Sequence, residues 1–188
     1  MKKSALFIFA LVLFSLAARA QGPISSGQMQ INLGTGYVGG YLPFYVGMDF
    51  GVHPDISIGP KVILSYYRHS HFDYFNWGEI YYMERILDLG AAFVFDYHFN
   101  RLLGIPENFD LYAGADAGIY GYSLKEVTEY YDFDFITTDI LYETGSYGNF
   151  SVHAGGRYIF PSGLGLNLQF DLDRFGIGGA YFGITKKF

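Results

Sequence analysis

Ser151 and His153 are separated by one residue, so an extended strand places both side chains on the same face. A serine, a histidine and a carboxylate within hydrogen-bonding reach can act as nucleophile, base and orienting group in hydrolysis, and Asp96 or Asp116 is available as the third member. The longer local motif that such a nucleophile usually occupies is not found in residues 151–156. Hydrolysis is therefore kept as an alternative function, and no residue is assigned a catalytic role.

A group of charged residues on the predicted strands alternates with apolar ones, and this places the group on the same strand face as Ser151. Asp49 is expected near Lys61 across a tight turn, and Arg157 is expected to reach Asp110 or Asp116 on the preceding strand. Because buried charges need partners, the pattern predicts a charge network that fills the interior of the molecule. Its members are Asp49, Lys61, Asp96, Asp110, Asp116 and Arg157, and the same face carries Asp88, His98 and Asp171.

The elements that carry these residues are strands, because apolar residues alternate with small or polar ones along the chain. The alternation predicts eight strands, at residues 28–38, 44–52, 56–68, 86–99, 109–122, 150–160, 164–172 and 177–188. An even number places both termini at one end, together with the short turns, and places the long connections at residues 69–85 and 123–149 at the other end. Pro60 lies inside the third strand although proline cannot donate to a strand ladder.

Glycine dominates the strand face opposite the apolar residues. A closed barrel of eight strands has an interior only wide enough for side chains, so glycines suit a crowded inside. A soluble barrel with its apolar face inward is the alternative, and it would place the glycines on an unconstrained surface. The pattern therefore predicts an all-β, eight-stranded antiparallel barrel with an apolar exterior.

The first 20 residues have the features of a secretory signal peptide: a basic start, an apolar run and small residues before the cleavage position. The predicted domains are a cleaved signal, residues 1–20, and one barrel domain, residues 21–188. Cleavage removes three of the 12 Lys and Arg residues, which leaves nine against 18 Asp and Glu and a net charge of −9. Such acidity argues against nucleic-acid binding. The chain has no cysteine, so it forms no disulfide and carries no cysteine-linked lipid.

The long connection at residues 123–149 is acidic and aromatic, and its alternation at residues 132–135 indicates a hairpin that projects beyond the barrel. This composition fits a contact surface for an extracellular protein or other surface ligand. Paired carboxylates in this segment could also bind a divalent cation, although the spacing of a calcium-binding loop is absent. A third alternative is a solvated loop whose aromatic residues lie at the level of the lipid headgroups. The contact candidates are Tyr130, Tyr131, Asp132, Phe133, Asp134 and Phe135.

The last strand alternates up to a terminal aromatic residue, with Ala180, Phe182, Ile184 and Phe188 on one face. With the strand count and the signal peptide, this resembles the small eight-stranded outer-membrane β-barrels, the OmpA-transmembrane and OmpX-like group (outer membrane protein β-barrel domain). The resemblance covers the whole mature chain. Lys186 departs from the pattern, since such terminal strands usually carry another apolar residue there.

The resemblance implies an up-and-down transmembrane β-barrel with short periplasmic turns and longer extracellular loops, in the outer membrane of a Gram-negative-type bacterium. Phe188, Ile184 and Phe182 would form the assembly signal read by the barrel-assembly machinery. The expected partners are outer-membrane lipid or lipopolysaccharide and an unidentified surface ligand, with the protein as a monomer.

The function expected from the resemblance is non-enzymatic: a structural or adhesin-like role, with a plugged lumen that is not a pore. The alternatives are a lipid-modifying enzyme, acting on acyl chains of lipid A or phospholipid, and a narrow channel for small apolar solutes. Barrel acylhydrolases direct their active groups towards lipid, whereas Ser151 and His153 are expected to face the lumen. His69, His71 and Trp77 are too few to favour a metal site, so neither metal nor cofactor is predicted.

Overall fold

The computed structural model describes residues 24–75, 78–132 and 135–188, except the side chains of Phe75, Asp132 and Phe135. The predicted signal peptide lies outside this part of the chain. Within the described residues the elements are β1 (Met29–Val38), β2 (Leu42–His53), β3 (Ile56–Phe75), β4 (Gly78–His98), α1 (Asn100–Leu103), β5 (Phe109–Asp132), β6 (Phe135–Ile159), β7 (Leu164–Asp173) and β8 (Gly178–Lys187). No helix among these residues is long and apolar enough to cross a membrane.

The eight described strands form one closed antiparallel barrel in sequence order. The ring closes between β1 and β8, where Leu33 lies opposite Ile184. Beyond this ladder the Phe188 amide donates to the Met29 carbonyl oxygen at 2.9 Å. Closure pairs the edges that an open sheet leaves free. The predicted strand number, order and direction are therefore confirmed.

The two faces of the barrel have opposite chemistry. Outward-facing residues such as Leu33, Phe93 and Phe182 are exposed, whereas Asn32 and Asp96 on the inward face are buried. The apolar side chains thus cover the outside, as a transmembrane barrel requires and as a soluble barrel with an apolar interior does not. The fold is that of a transmembrane β-barrel.

Strands β3 to β6 contain 20 to 25 residues each, whereas β1, β2, β7 and β8 contain 10 to 12. About 9–11 residues suffice for a strand to cross a membrane, so the four long strands continue well beyond it. The long loops predicted at residues 69–85 and 123–149 are therefore wrong, although the projecting hairpin within the second is confirmed. These segments are paired strands, as β5 and β6 show with Ser123 opposite Thr144 and Asp132 opposite Phe135.

The end that carries the termini has two features that the alternation did not predict. The segment before β1 folds against the interior, where Ile24 is buried and the Gly51 amide donates to the Gln28 carbonyl oxygen at 3.0 Å. The connection between β4 and β5 contains the short helix α1 where a loop was expected. Asn100 in this helix is fully buried, and its side chain donates to the carbonyl oxygen of Phe109.

Pro60 lies within β3 and faces outward, and the β2–β3 ladder is interrupted opposite it. Gly47 pairs with Lys61, and the next pair is Phe50 with Ile58, so the residues between these two pairs are unpaired across β2 and β3. The ladder lacks a donor at this point because proline has no N–H. The third predicted strand is confirmed, and so is the local interruption of its ladder at Pro60.

We expect Gly59→Ala to lower the free energy of unfolding by about 3 kcal/mol or more, because a Cβ at Gly59 would lie 1.6 Å from the Met48 carbonyl oxygen. Gly47→Ala is the matched control, since it also faces the interior and its nearest atom would be the Pro60 oxygen at 3.6 Å. Urea midpoints of refolding into detergent micelles measure the difference. Equal midpoints for the two variants would contradict the close approach of β2 and β3.

Candidate functional site: the barrel interior and the projecting sheet

Arg157 on β6 is the central cation of the interior. Its guanidinium lies 3.1 Å from a carboxylate oxygen of Asp49, 3.5 Å from one of Asp96 and 3.2 Å from one of Asp110. It also lies 4.1 Å from the centre of the Tyr112 ring. The predicted contact between Arg157 and Asp110 is confirmed, and one cation joins carboxylates from β2, β4 and β5.

Lys61 on β3 binds Asp116 on β5, with 2.5 Å between the ammonium nitrogen and a carboxylate oxygen. The expected pairing of Lys61 with Asp49 is wrong, as is the alternative contact of Arg157 with Asp116. The residues beside Lys61 in its cross-strand row are Ala92 and Gly118, whose small size leaves room for its long side chain to reach past β4. The sequence pattern placed these charges on the correct face without determining which of them meet.

Ser151 and His153 both face the interior, as predicted, but they do not form the catalytic set of the alternative function. His153 Nε2 lies 2.6 Å from Asp96, and its Nδ1 lies 3.7 Å from Asp116. No hydrogen bond joins Ser151 to His153 among the described residues. Residues two apart on a strand lie about 6.6 Å from one another, so each side chain meets cross-strand neighbours instead.

A different serine, histidine and aspartate lie in line near the end of the barrel that carries the termini. Ser57 Oγ lies 3.0 Å from His98 Nε2, and His98 Nδ1 lies 2.8 Å from Asp110. Ser57 and His98 are each only 1% exposed, so no substrate carbonyl can reach the serine in this conformation. Asp110 also binds Arg157, and the arrangement therefore belongs to the interior polar network.

Asp116, His153 and Asp171 bring three potential metal ligands within 4.8 Å of one another. The Lys61 ammonium already binds the carboxylate of Asp116, and Gln169 donates to Asp171 at 2.7 Å. The positive charge at this point of the interior is therefore supplied by the protein itself.

Tyrosines fill the middle of the barrel. Tyr45, Tyr120 and Tyr181 pack with Ile63, and the Tyr45 hydroxyl donates to Asn167 at 3.2 Å. A cavity of about 360 Å³ lies towards the end opposite the termini, and a smaller one of about 30 Å³ lies beside Arg157. Lys61 and Tyr181 line both cavities, so they lie between them.

Beyond the barrel, the four long strands form what we call the projecting sheet, residues 67–75, 78–86, 123–132 and 135–144. Pairing between β2 and β3 ends at Leu42 opposite Tyr66, and pairing between β6 and β7 begins at Ser151 opposite Asp173. Within the described residues, the outer sides of β3 and β6 in the projecting sheet thus have no neighbouring strand.

The predicted contact residues lie at the tip of this sheet. Tyr130 is exposed, and the Tyr131 hydroxyl donates to Glu129 at 2.5 Å, which raises the pKa of the phenol because the carboxylate favours its protonated form. The backbones of Asp132 and Phe135 pair at the end of the hairpin. Phe133 and Asp134 lie outside the described residues.

The two histidines of the first long connection also lie in the projecting sheet. His69 and His71 stand side by side with ring centroids 5.5 Å apart, and His71 stacks on Tyr82 at 4.9 Å. They therefore take part in an aromatic row along β3 and β4. Trp77 lies outside the described residues.

Solved structures similar to the chain include Ail, the attachment invasion locus protein of Yersinia pestis, at 13% identity and a TM-score of 0.46, covering 87% of this chain and 99% of Ail. The N-terminal β-barrel domain of Pseudomonas aeruginosa OprF matches at 14% identity and a TM-score of 0.41, covering 87% and 98%. A de novo designed transmembrane β-barrel gives the same identity, score and coverage. No family model and no curated protein matches the sequence. The closed ring of eight strands, and not these percentages, establishes the fold.

Proposed function

We propose that the protein is a non-enzymatic outer-membrane β-barrel that presents the projecting sheet outside the cell as an interaction surface. The observation that carries the proposal is the continuation of β3 to β6 beyond the length that a membrane needs. In barrels of this class the termini and short turns lie in the periplasm. The projecting sheet lies at the opposite end, and it would therefore face the exterior.

The open edge of β6 supports strand addition as the mode of contact. Residues 135–144 have no partner strand on their outer side among the described residues, and Ile136 and Tyr142 expose 67% and 66% of their surface. An exposed edge strand can pair with an extended segment of another chain through main-chain hydrogen bonds. The partner class we propose is therefore an extended polypeptide segment of a surface protein.

The interior supports a structural role over an enzymatic one. The aligned Ser57, His98 and Asp110 are buried, and the charges near them are engaged by Arg157. A lipid substrate would approach from the outward face, where the exposed residues are predominantly apolar. The lipid-modifying enzyme is thus a less supported alternative. The narrow channel for apolar solutes is also less supported, because Tyr45, Tyr120 and Tyr181 pack together across the interior.

We expect removal of residues 127–140 to abolish cell-surface binding while leaving a folded barrel. Glu126 and Leu141 are paired, so an Asn-Gly turn can join them in register. Barrel stability comes from the closed ring and the apolar exterior, which the deletion leaves intact. Adhesion of intact cells to the partner surface and migration of the unheated protein on a gel measure the two effects. External protease should cut the wild-type hairpin in intact cells.

A matched pair of substitutions tests whether adhesion depends on the exposed side of β6 or only on the presence of the hairpin. Ile136→Lys places a charge on the exposed apolar side of β6, and Thr137→Lys places the same charge on the opposite face of the same strand. The first should reduce adhesion more than the second. Loss of folding after the deletion, or a hairpin protected until the outer membrane is opened, would contradict the proposed role.

A further inference from the structure

Three basic residues lie side by side at the base of the projecting sheet. Arg68 on β3 is directly opposite Arg85 on β4, and Arg85 is directly opposite Lys125 on β5. We call these three residues the basic row. Like charges directly opposite one another destabilise a sheet, so the basic row has an energetic cost unless an anion neutralises it.

The basic row faces outward, on the same strand face that carries the apolar exterior within the barrel. Side chains alternate along a strand, and Arg68 and Arg85 are each two residues from the outward-facing, exposed Tyr66 and Leu87. Tyr66 and Leu87 form the adjacent row towards the barrel, so the basic row lies about 6.6 Å further along the strands. In the proposed orientation, this places the basic row near the lipid headgroups of the outer leaflet.

None of the three cations has a carboxylate within 4.0 Å in the described part of the chain. Arg68 contacts the sulfur of Met83 at 4.0 Å, and the Lys125 ammonium lies 5.4 Å from the centre of the Tyr142 ring. The Nε of Arg85 is buried and has no hydrogen-bond partner among the described residues. In an acidic protein of net charge −6, this group of unneutralised cations points to an external anion.

We propose that the basic row binds the phosphate groups of a phosphorylated glycolipid in the outer leaflet. Arginine guanidinium groups match phosphate oxygens in pairs, and lysine adds a point charge. The apolar residues between the row and the barrel would contact the acyl chains of the same lipid. The exposed Tyr66 and Tyr142 would lie beside its headgroup, as aromatic residues do at membrane interfaces. The proposal rests on the proposed outer-membrane location, because only there does this level of the sheet meet such a lipid.

The test measures binding of lipopolysaccharide to the folded, detergent-solubilised protein and to the triple variant Arg68→Gln, Arg85→Gln, Lys125→Gln. The control variant Arg101→Gln, Arg174→Gln, Lys186→Gln makes the same change in net charge at sites outside the row. The row variant should bind about 100-fold more weakly, since each of the three basic residues near anionic lipid contributes about fivefold. The control variant should retain wild-type affinity.

Dephosphorylated lipopolysaccharide and phosphatidylglycerol micelles identify the anion. Wild-type protein should lose most of its affinity for the dephosphorylated glycolipid, and it should bind phosphatidylglycerol more weakly than intact lipopolysaccharide. Equal affinities for the row and control variants, or equal binding of phosphorylated and dephosphorylated glycolipid, would overturn the proposal. Failure of the proposed function is separate: it would appear as absence of the protein from purified outer membranes, whatever the result in detergent.

Discussion

Arg157→Met should be the most destabilising single substitution among the interior charges, with a loss of about 3–5 kcal/mol in the free energy of unfolding. The guanidinium contacts carboxylates on three other strands, Asp49, Asp96 and Asp110, and all three are buried. Methionine fills a similar volume but leaves these charges without their cation. Removal of one partner from a buried ion pair leaves the other charge buried without a counter-ion. The loss of stability therefore exceeds the net contribution of the ion pairs in the wild-type protein.

The measurement is the urea dependence of folding into lipid vesicles, followed by migration of the unheated protein on a gel. Arg174→Met is the matched control, since Arg174 lies in the turn between β7 and β8 and its guanidinium stacks 4.3 Å from the centre of the Phe175 ring. It should cost less than about 1 kcal/mol, as an exposed substitution does. If Arg157→Met prevents folding altogether, Arg157→Lys, which keeps the charge, should recover a folded species. Equal midpoints for Arg157→Met and Arg174→Met would mean that the interior network does not stabilise the barrel.

The fold was predictable from the sequence because one physical constraint acts on every strand. Each strand must present apolar residues to lipid and small or polar residues to a narrow interior, and this alternation is visible in residues such as Phe93 and Ala92 or Phe182 and Tyr181. The same alternation predicted which charged residues lie on the inward face of their strands. Even Pro60 interrupts the ladder only locally, since pairing continues on both sides of it, at Lys61 and at Ile58.

The partners of those charges were not predictable, because they depend on distances across the lumen. Lys61 binds Asp116 past the small residues Ala92 and Gly118, and local sequence spacing contains no information about that path. Strand length was underestimated for a related reason. Polar and aromatic residues beyond the membrane no longer separate into a lipid face and a lumen face, so the alternation weakens although the strands continue.

The last expected result is that the pure protein forms no stable open channel in planar-bilayer recordings. A barrel of eight strands is only wide enough for its own side chains. In this interior, Tyr45, Tyr112 and Tyr181 are buried, and the Tyr112 hydroxyl donates to Gln169 at 2.9 Å. Lys61 lies between the two cavities and is held by Asp116, so an ion would have to displace a buried ion pair.

Tyr181→Ala tests which layer closes the lumen, with Phe182→Ala as its outward-facing neighbour on β8. Removal of the Tyr181 ring should join the two cavities that it lines. Conductance should still be absent, because Arg157 and Tyr112 fill the interior nearer the termini and Ile24 is buried at that end. Steady ohmic conductance from the wild-type protein would contradict the plugged lumen. Conductance from Tyr181→Ala alone would show instead that the tyrosine layer is the barrier and that the charge network below it admits ions.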